Sequence, residues 1–147
     1  MRYYFAYGMN TNLEHMAQRC PGAVYIGPAH LRNYELVFKT HADIERRDGS
    51  GMWGVLWSIT EDCERSLDFV EGFPFYYIKQ EYVVQPKNNK PQENIIAMVY
   101  KMTPNHDYAL PHEHYKQCLL EGYTSAGINI DQITKALDGL KTSSQTI

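Results

Sequence analysis

Three cysteines, Cys20, Cys63 and Cys118, are all that a chain of 147 residues carries. Their wide, odd-numbered spacing matches neither a disulfide framework nor a zinc-ligand pattern, so a reducing, cytoplasmic setting is expected. No apolar run approaches the roughly 20 residues a bilayer-spanning helix needs, and no membrane partner is expected. The apolar run from Met1 to Tyr7 meets Gly8 and Asn10 too soon for a signal-peptide core. A large excess of one sign of charge is also missing, with 14 Lys and Arg against 17 Asp and Glu. A formal net charge of −3 gives no reason to expect a nucleic-acid polyanion as partner. Repeats, low-complexity stretches and linkers are missing too, so residues 1–147 read as one domain with a frayed tail over 142–147.

What the chain has in abundance is tyrosine, twelve in all. Tyrosine combines packing with a hydroxyl and suits an apolar pocket with a few polar points, although most strand tyrosines simply lie part-exposed. Residues 3–7 form a first strand without strict alternation, as for an element buried on both faces. Thr11 and Glu14 fit a capping box for a helix whose inner face is Leu13, Met16, Ala17 and Cys20, ended by Pro21-Gly22. Strands follow over Ala23 to Ile26 and Leu31 to Lys39, the latter with Leu31, Asn33, Glu35 and Val37 on one face. The polar stretch His41 to Gly51 reads as a mobile loop, and Met52 to Ile59 as a strand in which Gly54 marks a bulge or a close backbone approach. Thr60 caps a short helix with Cys63, Leu67 and Val70 inward and Gly72 closing it. Tyr76 to Gln85 and Asn94 to Met102 form a hairpin about the turn 86–93. Pro111 opens a helix bearing Tyr115, Cys118 and Leu119, and Ile130, Ile133, Leu137 and Leu140 mark a last one. The fold class is α+β: a curved, mostly β core with helices at its rim.

Two places carry chemistry. The run Tyr4 to Asn12 reads as strand, glycine turn and helix entrance, a geometry that offers backbone N–H groups to an anion. Glu71 ends a helix, where the macrodipole and partial burial would both raise its pKa toward the range of a general base. The alternative is a solvated residue before a capping glycine. Tyr7 is either a pocket wall or a core tyrosine, and Asn10 either a ligand or a turn lock. Arg19 is either a carboxylate partner or, as is commoner at a helix end, a residue that answers the helix dipole, and it is left out of the catalytic set. His112 and His114, two apart, share a face on a strand but not on a helix, so a metal site there is disfavoured. Arg46-Arg47 reads as a solvated loop pair, and Ser66 has no base partner for a nucleophilic triad.

Tyr4 to Gly8 with Asn10, Met16 and Arg19-Cys20-Pro21, then Gly54-Val55, Leu67-Asp68, Glu71-Gly72, Tyr77 and Tyr115, all occur in order. Together they make residues 3 to 120 resemble the γ-glutamylcyclotransferase-like family. The resemblance implies a barrel-like α+β fold and release of 5-oxoproline by attack of an α-amine on its own γ-amide. It further implies a small-molecule γ-glutamyl substrate and no metal or cofactor. Glu71 would be the general base and acid. Tyr7, Gly8, Met9, Asn10, Thr11, Asn12, Tyr77 and Tyr115 would bind substrate, the 8–12 segment through its amides. Contacts to the leaving group would come from the His41–Gly51 loop and the residues after Phe73. Met9 stands where the family usually has serine, which leaves a binding-only relative as the rival reading and a purely structural module as a third.

Overall fold

The computed structural model describes residues 2–87 and 94–145. In chain order its elements are β1 (Arg2–Ala6), a 3-10 turn (Met9–Thr11), α1 (Leu13–Arg19), β2 (Val24–Lys39), β3 (His41–Ile59), α2 (Glu61–Glu71), β4 (Tyr77–Pro86), β5 (Ile95–Met102), α3 (Glu113–Ala126) and α4 (Asp131–Gln145). The strands close a barrel in the order β1-β3-β2-β4-β5, giving the expected α+β class. Strand β1 runs antiparallel to β3, with Phe5 opposite Leu56, and parallel to β5 through Tyr4 and Met98. With neighbours on both sides, its Tyr4, Phe5 and Ala6 are all buried. Phe38, Ile44, Leu56, Ile59 and Met98 fill the core, joined by Leu119 and Tyr123 from α3 and Ile133 from α4. No helix among the described residues is long and apolar enough to cross a membrane.

Several local expectations change. The two strands expected over 23–39 are one, β2, because the Gly27-Pro28 break sits at a bulge in the β2–β3 ladder. A second register shift lies at Asn33, which has a φ of 66°. It flips the alternation, so Leu31, Leu36 and Phe38 are buried while Asn33, Glu35 and Val37 are not. The expected loop over His41 to Gly51 is the first half of β3, paired with β2 from Lys39↔His41 to Arg32↔Gly51. Its exposed outer part is a two-stranded ribbon whose charges meet across the strands, as Arg47 and Glu35 do at 3.2 Å.

At α1 the cap is Asn12, whose side chain accepts from the Glu14 and His15 N–H groups, while Thr11 closes the preceding turn. Only Met16 and Cys20 of the expected inner face are buried; Leu13 and Ala17 are exposed. Thr60 does cap α2 and Gly72 ends it at φ 69°, but Val70 is exposed. Gly54 marks a close approach: a Cβ there would lie 2.5 Å from Ala6 O. Strands β4 and β5 pair as the expected hairpin, and most of its turn lies outside the described residues. The cap of α3 is His112, leaving Pro111 outside the helix. Helix α4 continues to Gln145, through most of the expected tail.

Candidate active site

Glu71 owes its position to the way α2 begins and ends. Thr60 Oγ1 accepts from Cys63 N–H at 3.2 Å, and Glu61, Asp62 and Glu64 favour the helix start. At the other end Gly72 adopts the left-handed conformation and its N–H reaches Phe69 O at 3.2 Å. The end of α2 is tied to the barrel by Asp68, which accepts from Tyr100 Oη at 2.6 Å and from Lys79 Nζ at 2.9 Å. Glu71 thereby faces a cavity of about 450 Å³ at the barrel end, with its side chain only 17% exposed.

Asn10 clamps that carboxylate. Its Nδ2 donates to Glu71 Oε1 at 3.2 Å and to Tyr4 Oη at 3.0 Å, and its Oδ1 accepts from Arg19 at 2.8 Å. Its own backbone carbonyl accepts from Trp57 Nε1 at 3.0 Å. Burial pushes the Glu71 pKa up to about 7, against the opposing pull of Arg19, 4.0 Å away, and of the Asn10 hydrogen bond. This buried carboxylate can take a proton and return it near neutral pH.

The other expected residues separate into two groups. Gly8, Met9 and Asn10 line the cavity, and their amides have no hydrogen-bond partner among the described residues. Thr11 and Asn12 do not line it. Their amides are spent on Gly8 O and Met9 O, and their side chains on Gly8 O and on the α1 cap. The expected five-amide cradle is thus three amides long, because the segment folds into a turn rather than staying open. Tyr7, Tyr77 and Tyr115 all reach the cavity. Tyr7 is also a core residue, its hydroxyl donating to Tyr100 O at 2.5 Å. Tyr77 Oη donates to Ala42 O at 2.7 Å, and Tyr115 Oη accepts from Ala42 N–H at 2.9 Å. The two hydroxyls therefore bracket one residue, Ala42, whose neighbour Asp43 is buried and accepts from Lys39 Nζ and Met102 N–H, each at 2.9 Å. The Tyr115 hydroxyl sits against Gly8, 3.0 Å from where a Cβ would be. Burial raises the pKa of Tyr7, Tyr77 and Tyr115, keeping all three hydroxyls protonated near neutrality.

Arg19, His41, Tyr4, Tyr76 and Tyr100 also line the cavity, and of these Tyr4 and Tyr100 had not been singled out for it. Arg19 ends α1, yet its guanidinium turns to Asn10 and Glu71; its place beside Cys20-Pro21 in the motif was the available signal. Tyr76 and His41 fall in the stretches expected to supply leaving-group contacts, although His41 starts a strand and not a loop. Its Nδ1 lies 2.8 Å from Tyr76 Oη, and burial lowers its pKa. Among the described residues no cluster of three or more His, Cys, Asp or Glu side chains is arranged to hold a metal ion.

A barrel whose mouth holds one buried carboxylate beside unpartnered amides is the plan of a small-molecule enzyme. The family model described as gamma-glutamyl cyclotransferase, AIG2-like, matches residues 4–117. Gamma-glutamylcyclotransferases of Bos taurus and Homo sapiens are each 30% identical over 141 residues, covering 87% of this chain and 73% of theirs. A solved gamma-glutamyl cyclotransferase superposes with a TM-score of 0.81 at 28% identity, covering 92% of this chain and 85% of that one. The chain belongs to the gamma-glutamyl cyclotransferase, AIG2-like family, and is an enzyme of the cyclotransferase type.

Proposed function

We propose that the protein releases 5-oxoproline from a γ-glutamyl amino acid, peptide or amine, with Glu71 as general base and then general acid. The observation that carries this reading is the Glu71 carboxylate, buried at the cavity, clamped by Asn10 and raised to a pKa of about 7. The α-ammonium of the substrate gives a proton to Glu71, and the freed amine nitrogen bonds to the γ-carbonyl carbon. The bond from that carbon to the leaving nitrogen then breaks as Glu71 returns the proton to it. The second proton of the ring nitrogen passes through Glu71 to the departing amine, which leaves as an ammonium. No water is consumed, and because nucleophile and electrophile are tethered, the enzyme's task is to hold the compact conformer.

The amides of Gly8, Met9 and Asn10 and the Tyr115 hydroxyl are the donors for the substrate α-carboxylate, and Tyr77 offers its oxygen lone pairs to the α-ammonium. Tyr7 walls the pocket. Met9 contributes through its backbone, so the missing family serine removes no amide donor. Thr11 and Asn12 act one step back, holding the turn and the helix that present these amides. The test is mass-spectrometric detection of 5-oxoproline from a panel of γ-glutamyl amino acids and amines, with wild type and Glu71→Gln side by side. Product from wild type alone is expected. Product from both at equal rate, or from neither folded protein, would overturn the reading.

A further inference from the structure

The cavity is graded from a polar, buried floor to an apolar rim. Tyr4, Tyr7, Asn10 and Tyr77 are buried, whereas Met9, His41 and Tyr76 are half-buried and Val70 and Phe69 are 44% and 89% exposed. A phenylalanine held almost wholly in water beside a cavity calls for a reason, since its exposure leaves a large apolar area unburied. The charges are distributed with equal bias. Of the lining residues only Arg19 and Glu71 carry a full charge, and they face each other at 4.0 Å, with Arg19 also donating to Asn10. His41 has its Nδ1 against Tyr76 Oη and its pKa lowered by burial, so it adds no cation near neutrality.

If the γ-glutamyl head occupies the floor, where the amides and Glu71 are, the leaving amine must extend past Glu71 to the rim. We infer that Met9, His41, Phe69, Val70 and Tyr76 form a leaving-group subsite that selects γ-glutamyl conjugates of uncharged, apolar or aromatic amines over those of amino acids or diamines. This inference rests on the cyclotransferase reading and narrows its substrate class. Among the described residues that line the cavity, a carboxylate on the leaving group finds no free cation at this rim, and an ammonium finds no free anion. An aromatic ring instead covers Phe69 and Val70 and meets the edges of His41 and Tyr76, which already pack T-shaped at 5.7 Å. Methionine at position 9 adds an adaptable thioether to the same wall.

The experiment compares kcat/KM for the γ-glutamyl conjugates of phenethylamine, β-alanine and 1,5-diaminopentane. The phenethylamine conjugate is expected to lead each charged one by about tenfold or more. Phe69→Ala should shrink that lead severalfold, and Phe69→Lys should raise the β-alanine conjugate relative to the diamine one. Phe69 is exposed, so both variants are expected to fold, which circular dichroism checks. Equal rates on the three conjugates, a charged conjugate in the lead, or a lead untouched by either substitution would overturn the subsite while leaving the cyclotransferase reading in place. No 5-oxoproline from any conjugate would instead overturn that underlying reading.

Discussion

Asn10 and Glu71, sixty-one positions apart, meet through a single hydrogen bond of 3.2 Å from the Asn10 Nδ2 to Glu71 Oε1. The same amide group holds Tyr4, and the same side chain accepts from Arg19. The carboxylate thus has a fixed direction and a partner that favours its charged form. Replacing Asn10 by alanine removes both effects. We expect kcat to fall about 100-fold from loss of positioning. The acid limb of the pH profile should move to higher pH, because a group that lowers the Glu71 pKa is gone. A limb that stays in place would show that Asn10 does not act on the carboxylate.

Arg19 pulls in the same direction from 4.0 Å. In Arg19→Gln the Glu71 pKa should rise, so activity at pH 6 falls more than activity at pH 9. Equal losses across that range, measured as kcat/KM, would make Arg19 a substrate contact or a structural residue instead.

The raised pKa also has a cost in stability. The folded carboxyl titrates at about 7 against 4.5 for the free side chain. Between those values the native state holds the proton more tightly than the unfolded chain, so this contribution to stability is lost as pH rises through the window and levels off above it. Glu71→Gln cannot ionise. It should therefore match wild type near pH 4.5 and exceed it by about 3 kcal/mol above pH 7. Urea unfolding at several pH values checks this, and a difference independent of pH would contradict it.

The backbone of Ala42 separates the roles of two tyrosines. Tyr77→Phe leaves the Ala42 carbonyl without its hydroxyl donor and should cost about 1–3 kcal/mol of stability. Tyr115→Phe removes an acceptor from the Ala42 N–H and, on the proposed binding mode, a donor to the substrate carboxylate. Its signature should be a KM raised about tenfold, the effect of losing roughly 1.4 kcal/mol of binding. An unchanged KM would confine Tyr115 to holding the Ala42 backbone.

Local signals in the sequence marked much of this architecture. Thr60 and Gly72 bound α2 because capping and left-handed closure depend on single residue types, and that boundary delivers Glu71 to the cavity. The aromatic run of β1 signals burial on both faces for the same local reason. The β2–β3 ribbon was not legible. Asn33 in a left-handed conformation shifts the register, and Arg46, Arg47 and Asp48 belong to a strand with exposed faces, where polar composition resembles a loop. Arg19, weighed as a carboxylate partner, was left out of the site because a helix-end arginine satisfies a local rule, while its partners lie on the 3-10 turn and at the end of α2. Thr11 and Asn12 show the converse: residues of the right type in the right motif, turned away by a 3-10 turn that consumes their amides.

The most direct test of the account is the pH dependence of kcat/KM for 5-oxoproline release, measured from pH 5 to 9 with wild type and Glu71→Gln on one γ-glutamyl amide. The account predicts that wild-type activity falls on acidification through a single ionisation near 7. Glu71→Gln should lose about 100- to 10,000-fold in rate, together with that limb. A wild-type profile flat down to pH 5, or a Gln variant that keeps the same limb, would contradict the assignment of Glu71 as the proton shuttle.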